Sequence, residues 1–304
     1  MTTWTVSDIP SQRGRSAVIT GTGGLGFEDA LALASAGCDV IIAGRSQEKG
    51  AAAIASIRSQ VPHAHVRFEQ LDLASLKSIA AFGERLRNQQ ASLDLLINNA
   101  GVMVPPQRRE TEDGFELQLG TNYLGHFALT GQLLPLLRAS DGARVITLSS
   151  VAARSGSIDF DDLNADKHYK PMPIYSQSKL ACLMFALELQ RRSEANGWGL
   201  SSIGAHPGIA RTDLLHNAPG RWSAMGLTRS LLWFLFQPAS RGALPTLFAA
   251  TSPDAEPGAY YGPDGLSETR GFPARANIPS RALDEVAATR LWTVSEQLIG
   301  MTIV

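Results

Sequence analysis

Apolar positions along this chain fall into two recurring patterns. The runs 15–20 (Arg-Ser-Ala-Val-Ile-Thr), 39–44 (Asp-Val-Ile-Ile-Ala-Gly), 95–97 (Leu-Leu-Ile) and 145–150 (Val-Ile-Thr-Leu-Ser-Ser) have the length and β-branched content of strands buried on both faces. Between them lie stretches with helical spacing, the first running from Glu28 to Ala36 and closed by Gly37. Strand and helix segments alternate from Arg15 to about Ala250 with no Pro/Gly/Ser-rich linker, repeat or low-complexity run. That order predicts an α/β fold: one doubly wound parallel sheet flanked by helices on both faces, as a single domain over residues 1–304. Ala259 to Gly265, with Gly262-Pro263-Asp264-Gly265, reads as a turn cluster. Leu283, Val286, Ala287, Leu291 and Val294 predict a last helix at about 280–298.

The first strand runs into Gly21-Thr22-Gly23-Gly24-Leu25-Gly26 and then a helix. Glycines there allow a tight turn and close approach of a pyrophosphate, whose charge faces the amides and positive dipole end of the helix. The second strand ends in Gly44-Arg45-Ser46, with no acid to bond a ribose 2′-hydroxyl. Arginine suits a 2′-phosphate, so the coenzyme expected is NADP(H) before NAD(H).

Tyr175-Ser-Gln-Ser-Lys179 supplies candidate chemistry. With residues 177–195 helical, a spacing of four advances about 400°, which places the phenol and the ammonium on one face. A fixed positive charge favours phenolate, and such a tyrosine can exchange a proton with an alcohol or ketone. Ser149-Ser150 stands at a strand end upstream, and Asn122 before that.

With these motifs in this order, the chain resembles the short-chain dehydrogenase/reductase family, whose fold is Rossmann-like, from about Gly14 onward. Asp72-Leu73 resembles the family's adenine contact, Asn98-Asn99-Ala100-Gly101 its central strand-end motif, and Pro207-Gly208-Ile209-Ala210-Arg211-Thr212 the segment touching the nicotinamide carboxamide. The resemblance implies Tyr175 as general acid/base, with Lys179 assisting it and holding the nicotinamide ribose. It implies Ser150, before Ser149, as the hydroxyl that bonds the substrate oxygen, and Asn122 as the holder of a relay water. The glycine loop is one residue shorter than the usual family pattern. It either closes more tightly on Gly21, Gly23 and Gly26 or displaces its amides. Twenty-five positions separate Ser150 from Tyr175, longer than in many members. This insert, with Ile158-Asp-Phe-Asp-Asp-Leu-Asn164 and Tyr169-Lys-Pro-Met-Pro173, resembles the retinol-dehydrogenase-like members and suggests a lipophilic substrate. Asp159, Asp161 and Asp162 read as part of a solvated loop, not as a metal site.

The segment at about 209–240 is expected to shape the substrate pocket, with Leu231-Leu-Trp-Phe-Leu-Phe236 as a short apolar lid. Core packing, an interface and a membrane-surface patch compete with that reading; spanning a bilayer takes about 20 residues. Val102, Met103, Val151 and Ala152 are expected to add apolar walls. A formal charge of −1 with interspersed signs offers no basic face for nucleic acid. Two cysteines, Cys38 and Cys182, make neither a disulfide framework nor a zinc cluster. These features, with no secretory leader, fit a cytoplasmic protein, and the family's habit implies a homodimer or homotetramer. The leading expectation is an NADP(H)-dependent alcohol dehydrogenase or ketoreductase. The alternatives are an epimerase, dehydratase or enone reductase on the same scaffold, or a coenzyme-binding regulatory protein with little turnover.

Overall fold

A computed structural model describes residues 3–210 and 237–304. Its frame is one eight-stranded sheet in the order β3-β2-β1-β4-β5-β6-β7-β8. The strands are β1 (Ser16–Thr20), β2 (Asp39–Gly44), β3 (Val66–Gln70), β4 (Leu95–Asn98), β5 (Arg144–Leu148), β6 (Ser201–Ala205), β7 (Tyr260–Gly265) and β8 (Arg270–Arg275). Neighbouring strands from β3 to β7 pair in parallel, and β8 returns antiparallel to β7.

Successive strand residues face opposite sides. Val18, Ile41 and Leu96 enter one core; Ile19, Ile42 and Ile97 enter the other. The first core is covered by α3 (Leu76–Gln89), α4 (Gly125–Arg138), α5 (Pro171–Asn196) and α7 (Glu285–Ile299). The second lies under α1 (Gly24–Ser35), α2 (Gln47–Gln60) and α6 (Leu244–Thr251). Because β1 connects outward to β2 while β4 lies on its other side, the chain reverses its winding between β1 and β4. Ligands of such sheets bind at that reversal, beyond the carboxyl ends of the strands. Among the described residues no helix is long and apolar enough to cross a membrane.

Three expectations need correction. The cluster expected as a turn at Ala259–Gly265 is strand β7 from Tyr260. Pro263 is tolerated there because it faces Pro273 of β8 across an irregular antiparallel pair, where neither has an N–H to leave unpaired. In the last helix Leu283 and Val286 are exposed, and the buried face is Ala288, Leu291, Trp292 and Ser295. A 3₁₀ turn at Ser280–Leu283 ends before Asp284, whose side chain caps α7 by accepting from Ala287 N at 2.9 Å, so a period read across that boundary mixes two elements. The insert is also more than a solvated loop. Leu163 and Ala165 are buried, Ile158 and Phe160 pack against the core, and Gln177 on α5 bonds Asp159 N and Leu163 O. Asp162 accepts from the backbone of Asp166, Lys167 and His168.

Helix α1 carries one misfit residue. Asp29 is fully buried, and neither carboxylate oxygen has a partner among the described residues. Burial, with the Glu28 charge adding to it, raises its pKa well above the usual carboxylate range. A raised folded pKa means the acid is tolerated only as the neutral form. The ionisation penalty is absent below the unfolded pKa and grows as pH climbs from there to the folded one. Asp29→Ala is expected to stabilise the fold by about 1–3 kcal/mol at pH 8 and by less at pH 5, in urea unfolding. A variant no more stable than the parent at pH 8 would contradict this.

Candidate active site

Six parallel strands deliver their carboxyl ends to one edge, and each is followed by a residue group singled out in the sequence. Gly21 to Gly26 follow β1, Arg45 follows β2, Asp72 and Leu73 follow β3, and Asn99-Ala100-Gly101 follow β4. Ser149 and Ser150 follow β5, and Pro207-Gly208-Ile209 follow β6. Thr212 and Arg211 lie outside the described residues, as do Trp222, Met225, Leu227 and the run from Leu231 to Phe236.

The glycine loop closes tightly. Helix α1 begins inside it at Gly24, earlier than the apolar run indicated, with Gly23 as cap. Gly21 has φ +101°, and a Cβ there would sit 2.9 Å from Asn99 Nδ2. A Cβ on Gly26 would meet the same nitrogen at 2.6 Å and Gly21 O at 2.7 Å. The loop is thus wrapped on the Asn99 amide, whose Nδ2 donates to Thr20 O at 2.7 Å.

Thr20 is a residue of this edge to which the sequence reading gave no role. Its Oγ1 accepts from Asn99 N and Ala100 N, both at 2.9 Å, and contacts His126 Nε2 at 2.9 Å. His126 Nδ1 lies 2.9 Å from Asn122 O, which can only accept, so Nδ1 carries the hydrogen. Burial holds this imidazole neutral, with its pKa pushed down to about 4. Nε2 therefore accepts the Thr20 hydroxyl hydrogen, leaving the Thr20 lone pairs to the two amides. One proton arrangement thus fixes the ends of β1 and β4 and the start of α4 together.

Asn122 stands in a π-helical turn, Leu119–Leu124, where Gly125 N reaches back to Gly120 O. Its Oδ1 accepts from Val102 N at 2.7 Å, and Nδ2 donates to Val102 O and Ser178 Oγ, both at 3.0 Å. Both amide hydrogens are used in tying the β4 loop to α5. Only a second lone pair on Oδ1 remains for the water expected there. A Cβ on Gly101 would lie 3.1 Å from this Oδ1 and 3.7 Å from Lys179 Nζ, so the glycine lets the three groups converge.

Helix α5 starts at Pro171, six residues before the expected start, with Pro171 and Pro173 in its first turn where proline lacks nothing it would bond. Tyr175 and Lys179 are therefore both inside the helix, one turn apart, and each is only 5% exposed. Lys179 Nζ donates to Leu148 O at 3.1 Å. The Tyr175 hydroxyl bonds no protein group among the described residues. The two serines differ. Ser149 Oγ is buried and donates to Lys179 O at 2.7 Å, whereas the half-buried Ser150 accepts from Ala152 N at 3.2 Å and keeps its own hydrogen to give.

Near β2 a cleft of about 220 Å³ runs between Gly21, Arg45, Lys49, Asp72 and Thr121. Ser46 caps α2 by accepting from Lys49 N, so the cation of Lys49 and the amino end of a helix join Arg45 there. Ser46 and Lys49 were not singled out in the sequence, although a serine cap three residues before a lysine is readable. Thr121 Oγ1 is buried in the wall of this cleft with no partner among the described residues. Asp72 Oδ1 accepts from Ala74 N at 2.9 Å, which holds its carboxylate at the cleft rim. Close-approach glycines, two cations and an unpartnered hydroxyl suit a phosphorylated dinucleotide.

Comparison with known proteins identifies relatives of this chain. The short chain dehydrogenase family profile matches residues 15–221, more than half of the chain. Retinol dehydrogenase 13 of Mus musculus is 41% identical over 297 residues, covering 95% of this chain and 84% of its own. Polyprenol dehydrogenase of Mus musculus is 40% identical over 299 residues, covering 96% and 86%. A crystal structure of an uncharacterized protein from Mycobacterium paratuberculosis superposes with TM-score 0.83 at 39% identity, covering all of both chains. A Pseudomonas aeruginosa RhlG/NADP active-site complex shares the fold at 24% identity and TM-score 0.64, covering 82% and 95%.

Proposed function

The chain belongs to the short-chain dehydrogenase family, and from that premise we propose that it is an NADP(H)-dependent oxidoreductase interconverting a lipophilic alcohol and its carbonyl compound. The observation that carries this reading is the placement of Tyr175 and Lys179 one turn apart inside α5, together with a Ser150 hydroxyl after β5 that keeps its hydrogen to give.

When bound, nicotinamide supplies or accepts the hydride. Tyr175 gives its proton to the carbonyl oxygen in reduction and removes it from the alcohol in oxidation. Lys179 has three N–H donors and uses one on Leu148, which leaves two for a ribose hydroxyl. Ser150 donates to the same substrate oxygen and stabilises the charge that builds there. Asn122 acts first by holding Val102 and Ser178, and through them the β4 loop and α5. Arg45, Ser46 and Lys49 would hold the 2′-phosphate, Thr121 a polar group of the coenzyme, and Pro207–Ile209 the carboxamide.

A lipophilic substrate is supported by the anchored insert, by the apolar Val102 and Met103 after β4, and by relatives named for retinol and polyprenol.

NADPH oxidation followed at 340 nm over a panel of long-chain aldehydes, ketones and enones tests the reading. Turnover of aldehydes or ketones with NADPH preferred over NADH is expected. Coenzyme binding with no oxidation on any substrate would overturn it in favour of a regulatory role.

A further inference from the structure

Between β7 and β8 the chain passes through Leu266, Ser267 and Glu268 with φ of 44°, 56° and 64°. Three consecutive side-chain-bearing residues in the left-handed region are strained, and such a turn persists only where its surroundings hold it. The hold is the Glu268 carboxylate. Its Oε1 accepts from Asn277 N at 3.0 Å and Nδ2 at 2.9 Å. Its Oε2 meets His206 Nε2 at 3.0 Å and Arg154 Nη2 at 2.5 Å, while Arg154 Nη1 donates to Ser267 O at 3.1 Å.

Both basic partners lead to the site. His206 is fully buried, and its Nδ1 accepts from Gly208 N at 3.2 Å, so Nε2 carries the hydrogen and donates to Glu268. Gly262 leaves the space for this ring, since a Cβ there would lie 2.0 Å from Nε2. The turn then grips the next residues directly. Ile209 N donates to Thr269 O at 2.8 Å, and Gly208, at φ +64°, lies so close that a Cβ would be 2.3 Å from the same oxygen. Gln237 adds a second strut, donating to Pro207 O at 2.7 Å and accepting from Gly271 N at 3.2 Å. Arg154 stands in the 3₁₀ turn Val151–Ser155, which Ser150 caps. Burial works to raise the Glu268 pKa, but His206, Asn277 and Arg154 together outweigh it and hold the carboxyl at about 2, so it stays ionised.

We infer that Glu268 is a positioning residue that locks the Pro207–Ile209 segment to the Ser150 turn and so sets the reacting ring of the coenzyme against the group that receives the substrate oxygen. This rests on the function proposed above. Glu268 acts through these partners, and its loss loosens two walls whose relative placement the reaction requires.

The test pairs Glu268→Gln with Arg154→Met at the more exposed side of the network, read by NADPH fluorescence titration, steady-state kinetics and thermal unfolding. In both variants NADPH Kd is expected to stay within about threefold, because the phosphate end near Arg45 and Lys49 is untouched. The enhanced emission of the bound reduced nicotinamide should fall by about half or more. A fall in kcat of about 10- to 100-fold is expected for Glu268→Gln, and of at least about threefold for Arg154→Met, with smaller changes in KM. The double variant should be no slower than Glu268→Gln alone, since both act on one network. A lower melting temperature with kcat and emission within twofold of the parent overturns the assignment, and if Glu268→Gln does not fold, the same result in Arg154→Met does so. Failure of the parent chain itself to bind NADPH or turn over any carbonyl overturns the functional reading as well, which separates the two.

Discussion

Tyr175→Phe is expected to lower kcat by about 10²- to 10⁴-fold while NADPH binding changes by less than threefold. The substitution keeps the ring in the second turn of α5 and removes only the atom that carries the proton. Because the Tyr175 hydroxyl bonds no protein group among the described residues, its loss leaves none of those residues with an unsatisfied buried group, and melting temperature is expected to hold nearly constant. That combination separates chemistry from stability. The contrasting control is Ser149→Ala, which empties a bond to Lys179 O and should cost stability before rate, whereas Ser150→Ala should cost rate before stability. Retention of Tyr175→Phe activity within tenfold of the parent would remove the phenol from the mechanism.

Arg45→Ala and Lys49→Ala are each expected to reduce kcat/KM for NADPH by about 10- to 100-fold, with the value for NADH within threefold of the parent. A charge-assisted bond contributes about 1.5–3 kcal/mol, and each 1.4 kcal/mol is tenfold. Both cations border one cleft, at the amino end of α2, so the double substitution should bring NADPH and NADH close to parity. Steady-state kinetics at fixed ionic strength decide it, because screening weakens such contacts. A parent enzyme that already prefers NADH, or an equal loss with both coenzymes, would refute the phosphate assignment.

The two predictions differ in how visible their residues were beforehand. Tyr175 and Lys179 stand four apart on a helix, and such spacing translates into proximity without knowledge of anything else in the chain. The strand that ends in glycines, and the absence of an acid after β2, are equally local. Lys49 and Ser46 were overlooked although their signal is local too: a capping serine and a lysine in the first turn of the helix that follows Arg45. Thr20 stands at the head of the glycine loop, but the role of its hydroxyl could not be read from the residues around it. Its hydroxyl gains meaning from Asn99, Ala100 and His126, which are 79 to 106 positions away in sequence.

Glu268 marks the far end of this scale. In the sequence it is one acid just past the cluster read as a turn, and its partners Arg154, His206 and Asn277 come from other parts of the chain. The same non-local logic explains the misjudged phase of α7. Trp292 is buried because Phe127 and Phe185 meet it edge-on and stacked, at 4.8 Å and 5.8 Å, not because of its neighbours in the helix.

From the order of residues alone came the alternating strands and helices, the doubly wound sheet they imply, the glycine turn and the Tyr-Lys pair, because each rests on periodicity or spacing within one or two elements. The folded chain decided which serine keeps a hydrogen to give, how Asn122 is tied down, where the cations of the β2 cleft gather, and what holds the Pro207–Ile209 wall. Those outcomes depend on which donors and acceptors are already paired across the sheet, and hydrogen-bond pairing between distant segments is settled only when the segments meet.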